Sequence, residues 1–156
     1  MDRTATEQEA LFEHQLLAHI AEALRTTIDW ALRTQDCTSR LPSLRFIANS
    51  FHRHLEHILE LEEREGYLPT VDSHRHSDLQ DDIDILRREH DLFRQRLRFA
   101  VDRLEGVSPT DYLSVGEVCT ALMRLLDNIN DHNHREMLLI EKVRERDERD
   151  RLLGLL

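Results

Sequence analysis

Apolar residues recur every three or four positions along four stretches of the chain, the spacing that lines one face of an α-helix. The first face runs Leu17, Ala21, Leu24, Ile28 and Ala31, opened by a Thr4–Glu7 capping-box pattern and fading near Thr34. The second runs Leu44, Ile47, Phe51, Leu55, Ile58 and Leu61, with Pro42 suited to a first helical turn and Gly66 to a stop. The third carries Ile83, Leu86, Phe93, Leu97, Ala100 and Leu104, with Ser77 and Gln80 as a second capping box and Gly106 at its end. Ser108-Pro109 opens the fourth, whose inner face is Leu122, Leu125, Ile129, Ile140 and Val143. The predicted helices span about 5–34, 42–65, 78–105 and 109–147. The connections are short, the longest being Tyr67 to His76 around Pro69, and short connections set sequential helices antiparallel as neighbours. The expected fold is therefore all-α, an up-down-up-down antiparallel four-helix bundle, with 1–156 as a single domain. The tail from Arg144 to Leu156 is open to three readings: it extends the fourth helix, frays, or caps the bundle or a partner.

Composition narrows what such a bundle does. With 31 acidic against 21 basic residues the formal charge is −10, which repels a polyanion, and no stretch joins basic residues to stacking aromatics. Nucleic acid is not an expected partner. No window of about 18 apolar residues offers a membrane span, and MDRTATEQEA lacks the apolar core of a secretion signal, so a cytoplasmic location is expected. Cys37 and Cys119 have neither CxxC spacing nor a local His partner and read as packing or loop residues.

The chemistry lies in the polar residues that interrupt the apolar faces, because an imidazole or carboxylate buried without a partner costs several kcal/mol. The third face passes straight through His90, and the fourth through His132 and Glu136, which are one turn apart. His14 lies three residues before Leu17 and faces inward too, while Glu62 falls one turn beyond Ile58 on the second helix. By the His132–Glu136 parallel, position 58 should hold a histidine; Ile58 stands there, and His54, one turn earlier, is the best-placed replacement. His57 is more lateral, His52 faces solvent, and His19, His74, His76 and His134 read as surface or loop residues, with His19 an alternative to His14. Any one of these is more often a core histidine satisfied by a hydrogen bond. Three inward histidines and two inward glutamates on four helices are accounted for jointly by charge compensation from a metal. Glu13-His14-x-x-Leu17 and Glu89-His90-x-x-Phe93 echo each other, as an internal duplication would.

Glu13-His14, Glu62-Glu63 near Gly66-Tyr67, Glu89-His90 and His132-x-x-x-Glu136 together resemble the hemerythrin-like, or HHE cation-binding, family across nearly the whole chain. The resemblance implies a four-helix bundle holding non-heme iron, a di-iron pair in that family, with His14, Glu62, His90, His132 and Glu136 as ligands and a position open to oxygen. The family's usual histidine is replaced by Ile58, which leaves a rearranged site using His54 or His57, a single-metal site, and a metal-free bundle as alternatives. Imidazole and carboxylate donors suit iron, manganese or zinc, so another divalent metal is also compatible.

Two functions follow as expectations. One is a binder of oxygen or nitric oxide for storage, sensing or scavenging rather than an enzyme, since no further general base or substrate pocket shows in the faces. The other is an interaction or structural module, single-metal or metal-free, that forms homo-oligomers or engages a protein partner through its C-terminal tail. A ferritin-like oxidase ranks below both, because those bundles carry Glu-x-x-His on two helices and this chain has different spacings.

Overall fold

The computed structural model describes residues 3–34, 37–65 and 77–154, with side chains at 12–34, 39–63 and 77–154. These residues are all-helical: α1 (Arg3–Thr34), α2 (Cys37–Glu65), α3 (Gln80–Gly106) and α4 (Tyr112–Leu152), with one 3₁₀ turn at Ser77–Leu79 before α3. The Tyr67–His76 connection, Gly66, His74 and His76 fall outside the described residues. Each helix packs against at least two others, α1 on α2 and α4, α3 on α2 and α4, and α2 also on α4, so the four form a bundle. None of them is long and apolar enough to cross a membrane.

The predicted apolar faces become the core. Leu24, Ile28 and Ala31 of α1 meet Leu44, Phe51 and Ile58 of α2, Phe93, Leu97 and Leu104 of α3, and Leu122, Leu125 and Ile129 of α4, all buried. A second, smaller apolar cluster of Leu79, Ile83, Leu86, Leu139 and Val143 joins the start of α3 to the later part of α4. Ala21, Ile47, Leu61 and Ile140 are only half-buried; on α4 it is Leu139, not the predicted Ile140, that enters the core.

All four helix starts differ from the sequence expectation. The first helix already includes Arg3, so Thr4 lies inside it rather than capping it. The second begins at Cys37, five residues before Pro42, because the turn ahead of the proline buries Leu41 and lays Arg40 over the Trp30 ring at 4.0 Å. Pro42 therefore sits in the second turn, where its missing N–H withholds one helical hydrogen bond. The third helix has no side-chain cap: Leu79 occupies the N-cap position and is buried, and Gln80 bonds to Asp84 at 2.9 Å. Apolar burial there replaces the Ser77–Gln80 box. The fourth begins at Tyr112, because Ser108 and Pro109 are used in a turn closed by Asp111 N–H to Ser108 O at 3.0 Å. Asp111 is the cap, accepting from Ser114 N–H at 3.1 Å, a bond that holds its carboxyl below the usual range.

Gly106 does end α3, and Arg45 of α2 satisfies the carbonyls left over. Its guanidinium donates to the carbonyls of Leu104 (2.6 Å), Glu105 (3.2 Å) and Val107 (2.9 Å). The tail extends α4 as far as Leu152, pinned by a two-pronged Arg146–Asp78 pair at 2.9 Å on each prong. Leu152 and Leu153 beyond it are exposed.

Candidate metal centre

Between the main core and the smaller cluster, the faces that carry leucine elsewhere carry Glu62, His90, His132 and Glu136, the only buried polar or charged side chains among the described residues. Helix period alone puts them there: His90 falls between Leu86 and Phe93, and His132 and Glu136 fall between Ile129 and Leu139. His14 reaches the same place from α1 and is 28% exposed. The imidazole Nε2 atoms of His90 and His132 face each other at 3.0 Å. Glu62 stands between two rings, Oε1 3.2 Å from His14 Nε2 and Oε2 3.5 Å from His90 Nε2. Glu136 Oε2 lies 3.9 Å from His132 Nε2. All four helices thus supply a donor to one polar layer.

The residues behind the rings are also fixed. His132 Nδ1 is 2.8 Å from Glu89 Oε2, and one N–H group of Arg135 meets both oxygens of Glu89 at 2.8 Å. Behind His90, Glu63 is gripped by Arg94 at 2.8 and 3.0 Å, and Arg94 also reaches Glu56 at 3.2 Å. Glu63 Oε1 lies 3.4 Å from His90 Nδ1, yet that buried nitrogen has no hydrogen-bond partner. Phe93 sets its ring edge-to-face against His132, centroids 5.1 Å apart.

Burial governs the ionisation of the layer. It holds the His90 imidazole below its usual range despite the nearby Glu62 carboxylate, favouring the neutral ring. It pushes Glu136 up to about 8, with the charge of Glu62 adding to the effect, and Glu136 Oε1 has no hydrogen-bond partner. The outer carboxylates behave oppositely. The Arg94 hydrogen bond holds Glu63 below the usual range, and for Glu89 partial burial is outweighed by hydrogen bonds from Arg135 and His132.

The layer fits a cation in donor chemistry. Two donors about 2.1 Å from one ion, at right angles or tetrahedrally, are roughly 3.0–3.4 Å apart. The His90–His132 and His14–Glu62 separations of 3.0 and 3.2 Å have that length. Unpartnered Glu136 Oε1 would gain from a positive neighbour. Among the described residues, however, no three His, Cys, Asp or Glu side chains are arranged as a finished cage. The facing nitrogens bond to each other rather than surround a common point.

His54, His57 and His19 lie elsewhere. His54 Nδ1 is 3.7 Å from Glu13 on α1, His57 is exposed, and His19 bonds to the Gln15 carbonyl at 2.8 Å. Geometry explains why His54 is no substitute at position 58: it is two helical turns from Glu62, about 12 Å along the axis. His52 is half-buried beside Glu56 at 3.5 Å rather than facing solvent, and His134 is exposed. A cleft of about 690 Å³, lined among others by His14, Asn130, His134, Glu136, Met137 and Arg144, opens the layer to solvent between α1 and α4. Sequence reading passed over Arg94 and Arg135, which act on the rings through carboxylates of other helices. Their signal was faint: each follows its histidine by one turn on an otherwise charged flank.

Compared with family models, curated proteins and solved structures, the chain matches none.

Proposed function

We propose that the chain binds metal through His14, Glu62, His90, His132 and Glu136, as a non-heme iron protein of hemerythrin type that takes up oxygen or nitric oxide. The supporting observation is the facing pair of buried imidazole nitrogens, His90 Nε2 and His132 Nε2, 3.0 Å apart beside two buried carboxylates. Two carboxylates offset the charge of one divalent cation, and neutral imidazoles complete the donor set without adding charge. Glu62, with one oxygen toward His14 and the other toward His90, would share with both rings in holding the cation. The proposed order is up-down-up-down antiparallel. In support, partner numbers fall along one helix as they rise along the next: His14–Glu62 and Trp30–Arg40, Arg45–Leu104 and Glu56–Arg94, Asp78–Arg146 and Arg103–Glu117.

Bound iron would supply a reversible redox couple and a coordination position for a diatomic gas. The chain's own residues orient and shield. Phe93 braces His132, Ile58 and Ile129 keep water from the core side, and the α1–α4 cleft admits small solutes near His14 and Glu136. This arrangement suits storage, sensing or scavenging, and no additional acid–base pair is drawn into it.

The test is iron per chain after expression with iron and removal of loosely held metal. Wild type should retain iron, His90→Ala should lose affinity by about 10-fold or more, and His54→Ala should lose far less. An iron-free wild type that keeps its fold would overturn the proposal. It would favour the alternative of a helical interaction module, to which exposed Leu152 and Leu153 at the end of α4 are suited.

A further inference from the structure

On α3 the side away from the core is not uniformly polar. Ile85, Leu92 and Phe99 follow one another at intervals of seven, close to two helical turns, so they form one row on the surface, 43%, 44% and 65% exposed. Each end of the row borders a hollow in the seam between α3 and α4. Beside Ile85 the hollow holds about 290 Å³ and is lined by Leu86, Leu138, Leu139, Arg135 and Lys142. Beside Phe99 it holds about 120 Å³, lined by Ala100, Val118 and Leu125. The larger hollow therefore lies at the end with the smaller side chain. Charge divides along the same line: Asp81, Asp82 and Asp84 lead into Ile85, whereas Arg94, Arg96, Arg98 and Arg103 surround Phe99. Acids at a helix start and bases at its end suit the helix dipole, but the dipole gives no reason for an apolar row in water.

We propose that this row is the seam of a symmetric dimer, in which a second copy of the chain lies antiparallel along α3 with Leu92 on the two-fold axis. Leu92 is seven residues from each of the other two, so a half-turn about it sets Leu92 on Leu92 and Ile85 of each copy opposite Phe99 of the other. The same half-turn brings the Phe99 ring to the larger hollow and Ile85 to the smaller, each knob to a hole of its own size. It also sets Asp81 and Asp82 of one copy level with Arg103 of the other. A parallel pairing would set acid on acid and base on base. The pattern is its own complement, which a surface shaped for an unrelated partner has no reason to be. About 33 Å of helix, from Asp81 to Arg103, runs along the seam, and half-exposed Leu138 of α4 widens it, an extent that fits a modest interface. This surface is separate from the C-terminal tail and independent of the metal reading.

Sedimentation of the full chain over a concentration series tests it. Wild type should pass from monomer to dimer between roughly 1 µM and 1 mM. Leu92→Glu, which sets two carboxylates against each other on the axis, should raise the dissociation constant by about 100-fold or more. Phe46→Glu, at an exposed position on α2, should leave it unchanged. Wild-type circular dichroism would show that the Leu92→Glu chain is folded. Charge reversal then reads the register. Asp82→Arg and Arg103→Glu should each weaken self-association by about 10-fold, yet an equimolar mixture of the two should pair as tightly as wild type, because each reversed residue then meets its opposite. A wild type still monomeric at about 1 mM would overturn the dimer and leave the row to a partner of another sequence. A dimer that tolerates Leu92→Glu, one that is lost in Phe46→Glu, or a mixture no tighter than its components would overturn it as well.

Discussion

In the main core Leu24, Phe51, Leu97 and Leu122, one from each helix, are fully buried among apolar neighbours. About two to three turns away the same helices bring His14, Glu62, His90 and His132 together instead. The first region stabilises by removing apolar surface from water, roughly 1.5–3 kcal/mol for each large side chain. The second desolvates imidazoles and carboxylates and leaves two of its atoms, His90 Nδ1 and Glu136 Oε1, without partners. The contrast teaches that the fold is carried by the main core. The polar layer carries a desolvation cost that its two unpartnered atoms do not recover.

Opposite responses to substitution should expose that division. Phe51→Ala or Leu97→Ala should lower unfolding free energy by about 3–5 kcal/mol in urea titrations, with or without metal. Glu136→Leu should do the reverse in the metal-free chain, raising stability by about 1–3 kcal/mol by removing an unsatisfied buried group, while iron retention is lost. A destabilised Glu136→Leu chain would erase the distinction between the regions. The pH response is a finer probe. Glu136 is held at about 8 when folded against 4.5 as its ordinary value, so the fold favours the protonated acid. Its contribution is fully present below 4.5 and is lost as pH rises toward about 8. Metal-free stability measured across that window should fall, and Glu136→Gln should flatten the slope. The smallest effect belongs to the surface: Arg146→Ala, which removes an exposed pair with Asp78, should leave the urea midpoint within error.

The helical faces were legible because a 3.6-residue period is imposed by burial on one side, and the polar layer was legible as breaks in that period at His90, His132 and Glu136. Helix starts were not. The Leu41 and Leu79 contacts that decide them join residues distant in sequence, and local capping patterns at Pro42 and Ser77 gave way to that burial. The parallel between Glu62 and Glu136 put Glu62 on the inner face, where it is buried, and led to His54 as a stand-in for the missing histidine at 58, whereas His54 lies beside Glu13; periodicity measures direction around a helix and not depth along it. The arginine clamps depend on pairs 31 to 46 residues apart, Arg94–Glu63 and Arg135–Glu89, which no local window contains.

Cys119 lies at 0% exposure in the main core, on the α4 face shared with Leu122. A thiol reagent reaches it only when the helices separate, so its labelling rate in native buffer reads the opening equilibrium of the bundle directly. If metal tightens the whole molecule, labelling should slow on loading; if the ion acts only on its own layer, the sulfur will react at the same pace.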